Sequence, residues 1–189
     1  MPQAKSLTIA QLDQVLDSIK PTRYSARDRA MVLLSFWSGM RVGEIAALKI
    51  SDVLSIEGTI IDEIRLKPEQ TKGKNYRMVM IGLRLCNELN VYISTLDQFD
   101  ENDPLFVSQK TRKKFNPNAL VQKFRLMYEK AGIYGATSHS GRRTFITQLA
   151  NKGVGVRVLQ SLAGHKSIVT TQLYIDVNDE MKRNAVNLI

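Results

Sequence analysis

The sequence lacks several features that would assign it to a particular class of protein. It has a single cysteine, Cys86, among 189 residues, so an internal disulfide is excluded and a reducing cytosol is favoured. No apolar run reaches the roughly 18 residues that span a bilayer, and the first residues lack the apolar segment of a signal peptide. We therefore expect a cytoplasmic protein without a membrane partner.

Acidic residues are also scarce relative to basic ones. The chain has 18 Asp and Glu against 27 Lys and Arg, a formal charge of +9. Such an excess favours a polyanionic partner, most simply nucleic acid. Between residues 109 and 143, nine basic residues accompany one acid. The alternative is a solvated surface face, which is the usual meaning of a charge run. The residues predicted to contact nucleic acid are Lys110, Arg112, Lys113, Lys114 and Arg143.

The periodicity of apolar residues predicts a mainly helical α+β domain with one small antiparallel sheet. Thr8 followed by Gln11 is typical of a capping box at the start of a first helix, and two further helices follow. Residues 53–81 are rich in Ile and Val, which predicts two or three strands with a hairpin turn at residues 72–75. The helical pattern returns at Leu83, so the sheet is inserted after the third helix.

Metal ligands are few in this sequence. His139 and His165 are the chain's two histidines, and with one cysteine they form a poor ligand set, so we expect no metal and no cofactor. His139 precedes Arg142 by three residues, which on a helix puts both on one face. The acids that a metal-dependent nuclease would use fit a solvated loop better than a site: Asp97, Asp100, Glu101 and Asp103.

Four segments resemble the active-site motifs of the tyrosine recombinase, or phage integrase, family. They are GMRVGEIAAL at 39–48, TKGKNYRMVMIG at 71–82, HSGRR at 139–143 and AGHKSIVTTQLY at 163–174. Their order and spacing match that family along most of the chain. The resemblance implies the family's catalytic-domain fold and a single catalytic domain over residues 1–189.

The resemblance also implies an activity. A chain of this kind is a site-specific DNA recombinase or integrase that cuts and rejoins double-stranded DNA through a 3′-phosphotyrosine. It acts as a homomultimer, a tetramer, on paired DNA sites. The implied nucleophile is Tyr174, while Arg41 and Arg142 clamp the phosphate oxygens and Lys72 protonates the leaving 5′-oxygen.

Three more residues take roles by the same resemblance. His139 assists proton movement at the tyrosine, His165 hydrogen-bonds the phosphate, and Glu44 is in the position of a family acid that supports the site. Elementary chemistry agrees with this set. A guanidinium binds two oxygens at once, and a tyrosine, with a reference pKa of about 10, becomes a nucleophile only beside a base or cations.

Several alternatives are open at the level of sequence. Arg41 can form a plain helix salt bridge with Glu44 three residues on, Lys74 competes with Lys72, and Tyr174 is one of six tyrosines. At the level of function, the alternatives are a topoisomerase of the same chemistry and a DNA-binding regulator that does not cut DNA. An intact catalytic set argues against the regulator.

The chain departs from the family's pattern in two respects. Gly141 and Arg143 occupy positions that often hold Leu and His, which we expect to alter packing rather than chemistry. About six residues precede the first predicted helix, so we expect the sequence to contain no separate N-terminal core-binding domain.

Overall fold

The helices and strands lie close to the positions that the sequence predicts. The computed structural model describes residues 4–175 and 179–187. In chain order the elements are α1 (Ile9–Ile19), α2 (Ser25–Ser38), α3 (Val42–Ala47), β1 (Glu63–Leu66), β2 (Arg77–Met80), α4 (Leu83–Ile93), α5 (Pro117–Lys130), α6 (Ser140–Asn151), α7 (Val156–Ala163), α8 (Ile168–Gln172) and α9 (Asp179–Val186). The predicted mainly helical α+β fold, with its sheet after the third helix, is confirmed. In the residues described, each helix is too short or too polar to cross a membrane.

Local chemistry fixes the ends of the first two helices. The side chain of Thr8 accepts from the Gln11 N–H and the Gln11 side chain accepts from the Thr8 N–H, both at 3.1 Å, so the predicted capping box is confirmed. Helix α2 ends at Gly39, whose φ of 64° is left-handed and suits glycine. A Cβ at Gly39 would lie 2.5 Å from the Phe145 ring, so glycine also permits close packing there. The chain then reverses and begins α3.

Helix α2 is the centre of the core. Its residues Met31 to Leu34 are fully buried, because α2 packs against α6 on one side and α4 on another. A helix that is apolar around much of its circumference requires neighbours on several sides. Arg142, near the start of α6, bonds the carbonyl oxygens of Gly39 after α2 and Ala163 at the end of α7, so these helix ends meet at the candidate site.

The sheet is smaller than the sequence pattern suggests. Strands β1 and β2 pair antiparallel from Glu63 opposite Met80 to Leu66 opposite Arg77, which makes two short strands. The turn predicted at residues 72–75 is present, since the Lys74 N–H donates to the Thr71 carbonyl oxygen at 3.2 Å, but residues 67–76 form a longer connection than a tight hairpin. That connection begins with a 3₁₀ turn at Pro68–Gln70, and proline cannot donate to a ladder.

Gly141 on α6 allows that helix to approach α2 closely. A Cβ at Gly141 would lie 2.5 Å from Ser35 Oγ and 2.8 Å from Phe36 Cδ2, both buried on α2. Ser35 and Phe36 therefore leave no room at position 141 for the leucine that the family often has there.

Gly141→Ala should lower the free energy of unfolding by about 1–3 kcal/mol, because it overpacks the α2–α6 contact. Alanine normally stabilises a helix relative to glycine by about 0.5–1 kcal/mol, so the expected sign is reversed. The control is Gly43→Ala on α3, where an added Cβ meets nothing within 4 Å. Urea denaturation of the two variants tests the prediction, and equal stabilisation by both would contradict it.

Candidate active site

An open cleft of about 780 Å³ lies between α3, the β1–β2 connection and the segment joining α7 to α8. Its wall contains three of the six predicted catalytic residues, Arg41, Lys72 and His165. Among the described residues of that wall, Glu44 is the single acid and Arg77 adds a further cation. An excess of positive charge in a concave site favours an anionic ligand.

Arg142 lies behind the cleft with 4% of its surface exposed. Its Nη1 donates to the Gly39 carbonyl oxygen at 2.6 Å, and its Nη2 donates to the Ala163 carbonyl oxygen. Burial lowers the pKa of Arg142 to about 9, and the nearby charges of Arg41 and Arg77 act in the same direction. The guanidinium is still cationic at neutral pH. A buried cation beside other cations is stabilised when an anion binds, so this arrangement favours an anionic ligand.

Glu44 links two of these arginines and is 1% exposed. Its Oε1 accepts from Arg41 Nη1 at 2.8 Å, and its Oε2 accepts from the Arg41 N–H at 2.8 Å and from Arg77 Nη1. Burial opposes the charged carboxylate, but the charge of Arg77 and the contacts with Arg41 outweigh it and lower the pKa of Glu44. The Arg41–Glu44 salt bridge considered from sequence is thus present. The Arg41 side chain is nevertheless 31% exposed, which leaves donors for a ligand in the cleft.

Arg77 is a site residue that the sequence reasoning missed. Its side chain is buried, and besides Glu44 it bonds the Leu162 carbonyl oxygen through Nη2 at 2.9 Å. It therefore ties β2 to α3 and to the end of α7. A signal existed in the sequence, since Arg77 shares the inward face of its strand with Val79, and a charge at an inward position requires a partner.

Arg77→Met should lower the free energy of unfolding by about 3 kcal/mol, because it leaves Glu44 with one fewer partner and the Leu162 carbonyl without its donor. The double variant Arg77→Met with Glu44→Leu should lose less than the sum of the two single variants, since each single change leaves a buried partner uncompensated. Strictly additive losses in denaturant unfolding would contradict the coupling.

The surroundings of His165 determine the charge of its ring and which ring nitrogen carries the proton. Burial lowers the pKa of His165 to about 4, and the positive charge of Arg142 adds to this effect. Its Nδ1 is 2.9 Å from the hydroxyl of Thr171, a buried residue at the end of α8. When that hydroxyl donates to Nδ1, the neutral ring carries its proton on Nε2. The ring then has one N–H to donate to a phosphate oxygen.

Tyr174 is next to this histidine. The two rings are stacked with centroids 5.6 Å apart and an interplanar angle of 25°. A phenolate at Tyr174 would also raise the pKa of Arg142, so the two residues are near enough to interact electrostatically. Tyr174 is not itself among the residues that line the cleft. Among the other tyrosines, Tyr76 lines the cleft together with His165 and is exposed, so it is the relevant rival nucleophile.

His139 is the N-cap residue of α6. The positive charges of Arg142 and Arg41, which act on His165, also act on His139. Although His139 reaches the surface, desolvation of its ring lowers its pKa, and the charges of Arg142, Arg41 and Lys72 act in the same direction. The lowered pKa favours the neutral ring, the state that a proton acceptor requires. Of the two rival lysines, Lys72 lines the cleft, whereas Lys74 is outside the described lining residues. The geometry favours Lys72 as the proton donor.

The predicted DNA-binding residues separate into two places. Four of them are exposed and lie in the segment closed by the β-bridge between Val107 and Lys114. Within the described ranges, none of the four forms an ion pair. These residues are Lys110, Arg112, Lys113 and Lys114. Arg143 is instead beside Tyr174. Across residues 4–175 and 179–187, no cluster of three His, Cys, Asp or Glu is arranged to hold a metal ion.

Arg41, Lys72 and His165 thus line one cationic cleft, with Tyr174 stacked on His165 and the buried Arg142 close enough to lower the pKa of that histidine. Comparison with known proteins identifies the class. The phage integrase family model matches residues 5–181. The tyrosine recombinase XerA of Thermococcus kodakarensis is 34% identical over 183 residues, which is 96% of this chain and 61% of that protein.

Solved structures agree with the sequence match. The crystal structure of XerA recombinase superposes with a TM-score of 0.76 at 28% identity, over 100% of this chain and 63% of that one. A structure of the XerH site-specific recombinase bound to palindromic difH substrate has a TM-score of 0.71 at 24% identity, over 96% of this chain and 51% of that one, and indicates the shared fold.

This chain belongs to the phage integrase family, and the catalytic-domain fold expected from the resemblance is confirmed. It spans 61% of the length of the curated XerA relative.

Proposed function

We propose that this chain is the catalytic domain of a site-specific recombinase or integrase that cuts and rejoins double-stranded DNA. The observation that carries the proposal is the stack of Tyr174 on His165 beside the buried guanidinium of Arg142. A tyrosine, a neutral hydrogen-bond donor and a cation are thereby gathered at a site suited to one phosphate. The match to curated tyrosine recombinases supports the same activity.

The proposed cleavage step is an in-line displacement at phosphorus. The Tyr174 oxygen forms a bond to phosphorus while the bond from phosphorus to the 5′-oxygen breaks. The phenol proton passes to His139, and Lys72 gives a proton to the leaving 5′-oxygen. Arg41 and Arg142 stabilise the negative charge that gathers on the two non-bridging oxygens.

Rejoining is the same step in reverse with a different 5′-hydroxyl. The 3′-phosphotyrosine retains the energy of the ester that was broken, so strand joining consumes no nucleotide. Arginine charge does the work that a metal ion does in many phosphoryl-transfer sites. The proposal therefore includes no cofactor.

We propose that the protein acts as a homomultimer, a tetramer, on paired sites. The XerH relative is bound to a palindromic substrate, and a palindrome presents two equivalent half-sites to two copies of a protein. Two such sites brought together would engage four copies.

Plasmid assays separate the proposal from its rivals, after the target site has been selected from a random DNA pool by binding. A recombinase should rearrange a plasmid that carries two sites and leave a one-site plasmid unrearranged. A topoisomerase of the same chemistry should relax supercoiled plasmid without any selected site. A DNA-binding regulator should bind and leave both plasmids intact, an outcome that would overturn the proposal.

The exposed basic segment should contribute affinity without sequence preference. Changing its four cations to Gln should weaken binding to all DNA sequences alike and flatten the salt dependence by roughly one log–log unit for each lost phosphate contact. The residues are Lys110, Arg112, Lys113 and Lys114. Gel-shift titrations across a salt series test this, with the exposed Lys20 and Lys130 changed to Gln as the control. An unaltered salt slope would identify the segment as a solvated face.

A further inference from the structure

Arg142 and Arg143 are adjacent on α6 but have different surroundings. Arg142 is buried and both ends of its guanidinium fork bond backbone carbonyls. Arg143 is half-buried, and its guanidinium carbon is 5.2 Å from the centroid of the Tyr174 ring. That distance is within the range of a cation–π contact. The residue predicted from sequence to touch DNA therefore contacts the proposed nucleophile.

A second contact joins α6 to the same tyrosine. The hydroxyl of Thr147 is 3.4 Å from the Tyr174 carbonyl oxygen. Thr147 follows Arg143 by four residues, so both lie on one face of α6. One helix face consequently contacts both the ring and the backbone of Tyr174, while His165 stacks on the ring.

We propose that Arg143 is a positioning residue for Tyr174, which holds the phenol ring against α6 and stabilises its anion during attack. This inference rests on the proposed function. An arginine is charged at every pH in the working range, whereas the histidine often found at this position in the family is mostly neutral at pH 7. The departure from the family's pattern thus adds a permanent positive charge beside the nucleophile.

The proposal predicts a specific division between rate and affinity. In Arg143→Ala, the single-turnover cleavage rate at saturating DNA should fall about ten- to hundred-fold, because a misplaced nucleophile costs on this order. The dissociation constant for DNA should change little. Arg143→Lys should recover part of the rate because it retains the charge.

The matched control is Lys152→Ala, an exposed cation at the C-terminal end of the same helix. It should change neither the saturated rate nor the dissociation constant for DNA. If Arg143→Ala loses affinity but not saturated rate, and flattens the salt slope by about one, Arg143 is a phosphate contact and the proposal is overturned. Equal losses of rate in Arg143→Ala and Arg143→Lys would also overturn it, because the retained positive charge would then contribute nothing at Tyr174.

A measurement without DNA keeps this inference separate from the proposed function. In the free protein with ¹³C-labelled tyrosine, the Tyr174 ring signal is assigned by its loss in Tyr174→Phe. That signal should move in Arg143→Ala and stay in place in Lys152→Ala. A signal unmoved in both variants would overturn the contact even if the protein cuts DNA. A moved signal in a protein that binds DNA but never cuts it would overturn the proposed function alone.

Discussion

Tyr174→Phe should form no covalent adduct with DNA while binding DNA almost as well as the unmodified protein. Phenylalanine retains the ring that stacks on His165 at 5.6 Å and lies beside Arg143, so the site should keep its shape. It lacks the oxygen that attacks phosphorus. The measurement is a nicked suicide substrate, on which the broken strand cannot be resealed, followed by denaturing gel electrophoresis.

The matched control for this variant is Tyr76→Phe. Tyr76 lines the cleft beside His165 and is exposed, so it is the tyrosine best placed to act as nucleophile in place of Tyr174. We expect its variant to form adduct at close to the normal rate. Adduct formation by Tyr174→Phe, together with its loss in Tyr76→Phe, would assign the nucleophile to the other tyrosine.

Arg142→Lys should reduce cleavage by two or more orders of magnitude, on the scale of losing one oxyanion donor. Lysine keeps the charge but not the planar fork, whose two ends bond the carbonyl oxygens of Gly39 and Ala163. Without both anchors the cation should no longer be held at the phosphate. DNA binding, which draws on many exposed cations, should weaken far less.

A loss of fold must be distinguished from a loss of chemistry in this test. Arg142 joins the ends of α2 and α7, so Arg142→Lys should also lower the denaturant midpoint. The companion variant is Arg41→Lys. The Arg41 side chain is 31% exposed, so this variant should have a denaturant midpoint closer to that of the unmodified protein. A comparable fall in cleavage by Arg41→Lys would assign the effect to the phosphate clamp. If binding and cleavage fall equally in both variants, the arginines only hold DNA.

Features set by neighbouring residues could be predicted from the sequence. The capping box of Thr8 and Gln11 depends on residues three apart, and the helical segments depend on local periodicity. Tyr174 and His165 are nine residues apart in a single short motif, so their proximity follows from the short helix α8 that lies between them. The order of the four motifs then sufficed to identify the family.

Features set by distant residues could not be predicted in the same way. Arg142 bonds the carbonyl of Gly39, which is 103 residues away, and Arg77 pairs with Glu44 across 33 residues. Neither partner is specified by periodicity or spacing. The contact of Arg143 with Tyr174 is likewise set by the turn of α6 and not by sequence spacing, while the DNA contact predicted for Arg143 stays a prediction.

The central claim is that Tyr174 becomes covalently joined to the 3′ end of a cut DNA strand. The most direct measurement traps the adduct on a suicide substrate, digests protein and DNA, and locates the modified residue by peptide mass spectrometry. The account predicts a nucleotide linked through phosphate to Tyr174, with a free 5′-hydroxyl on the released strand. An adduct on any other residue, or bound DNA that is cut without a covalent protein link, would contradict it.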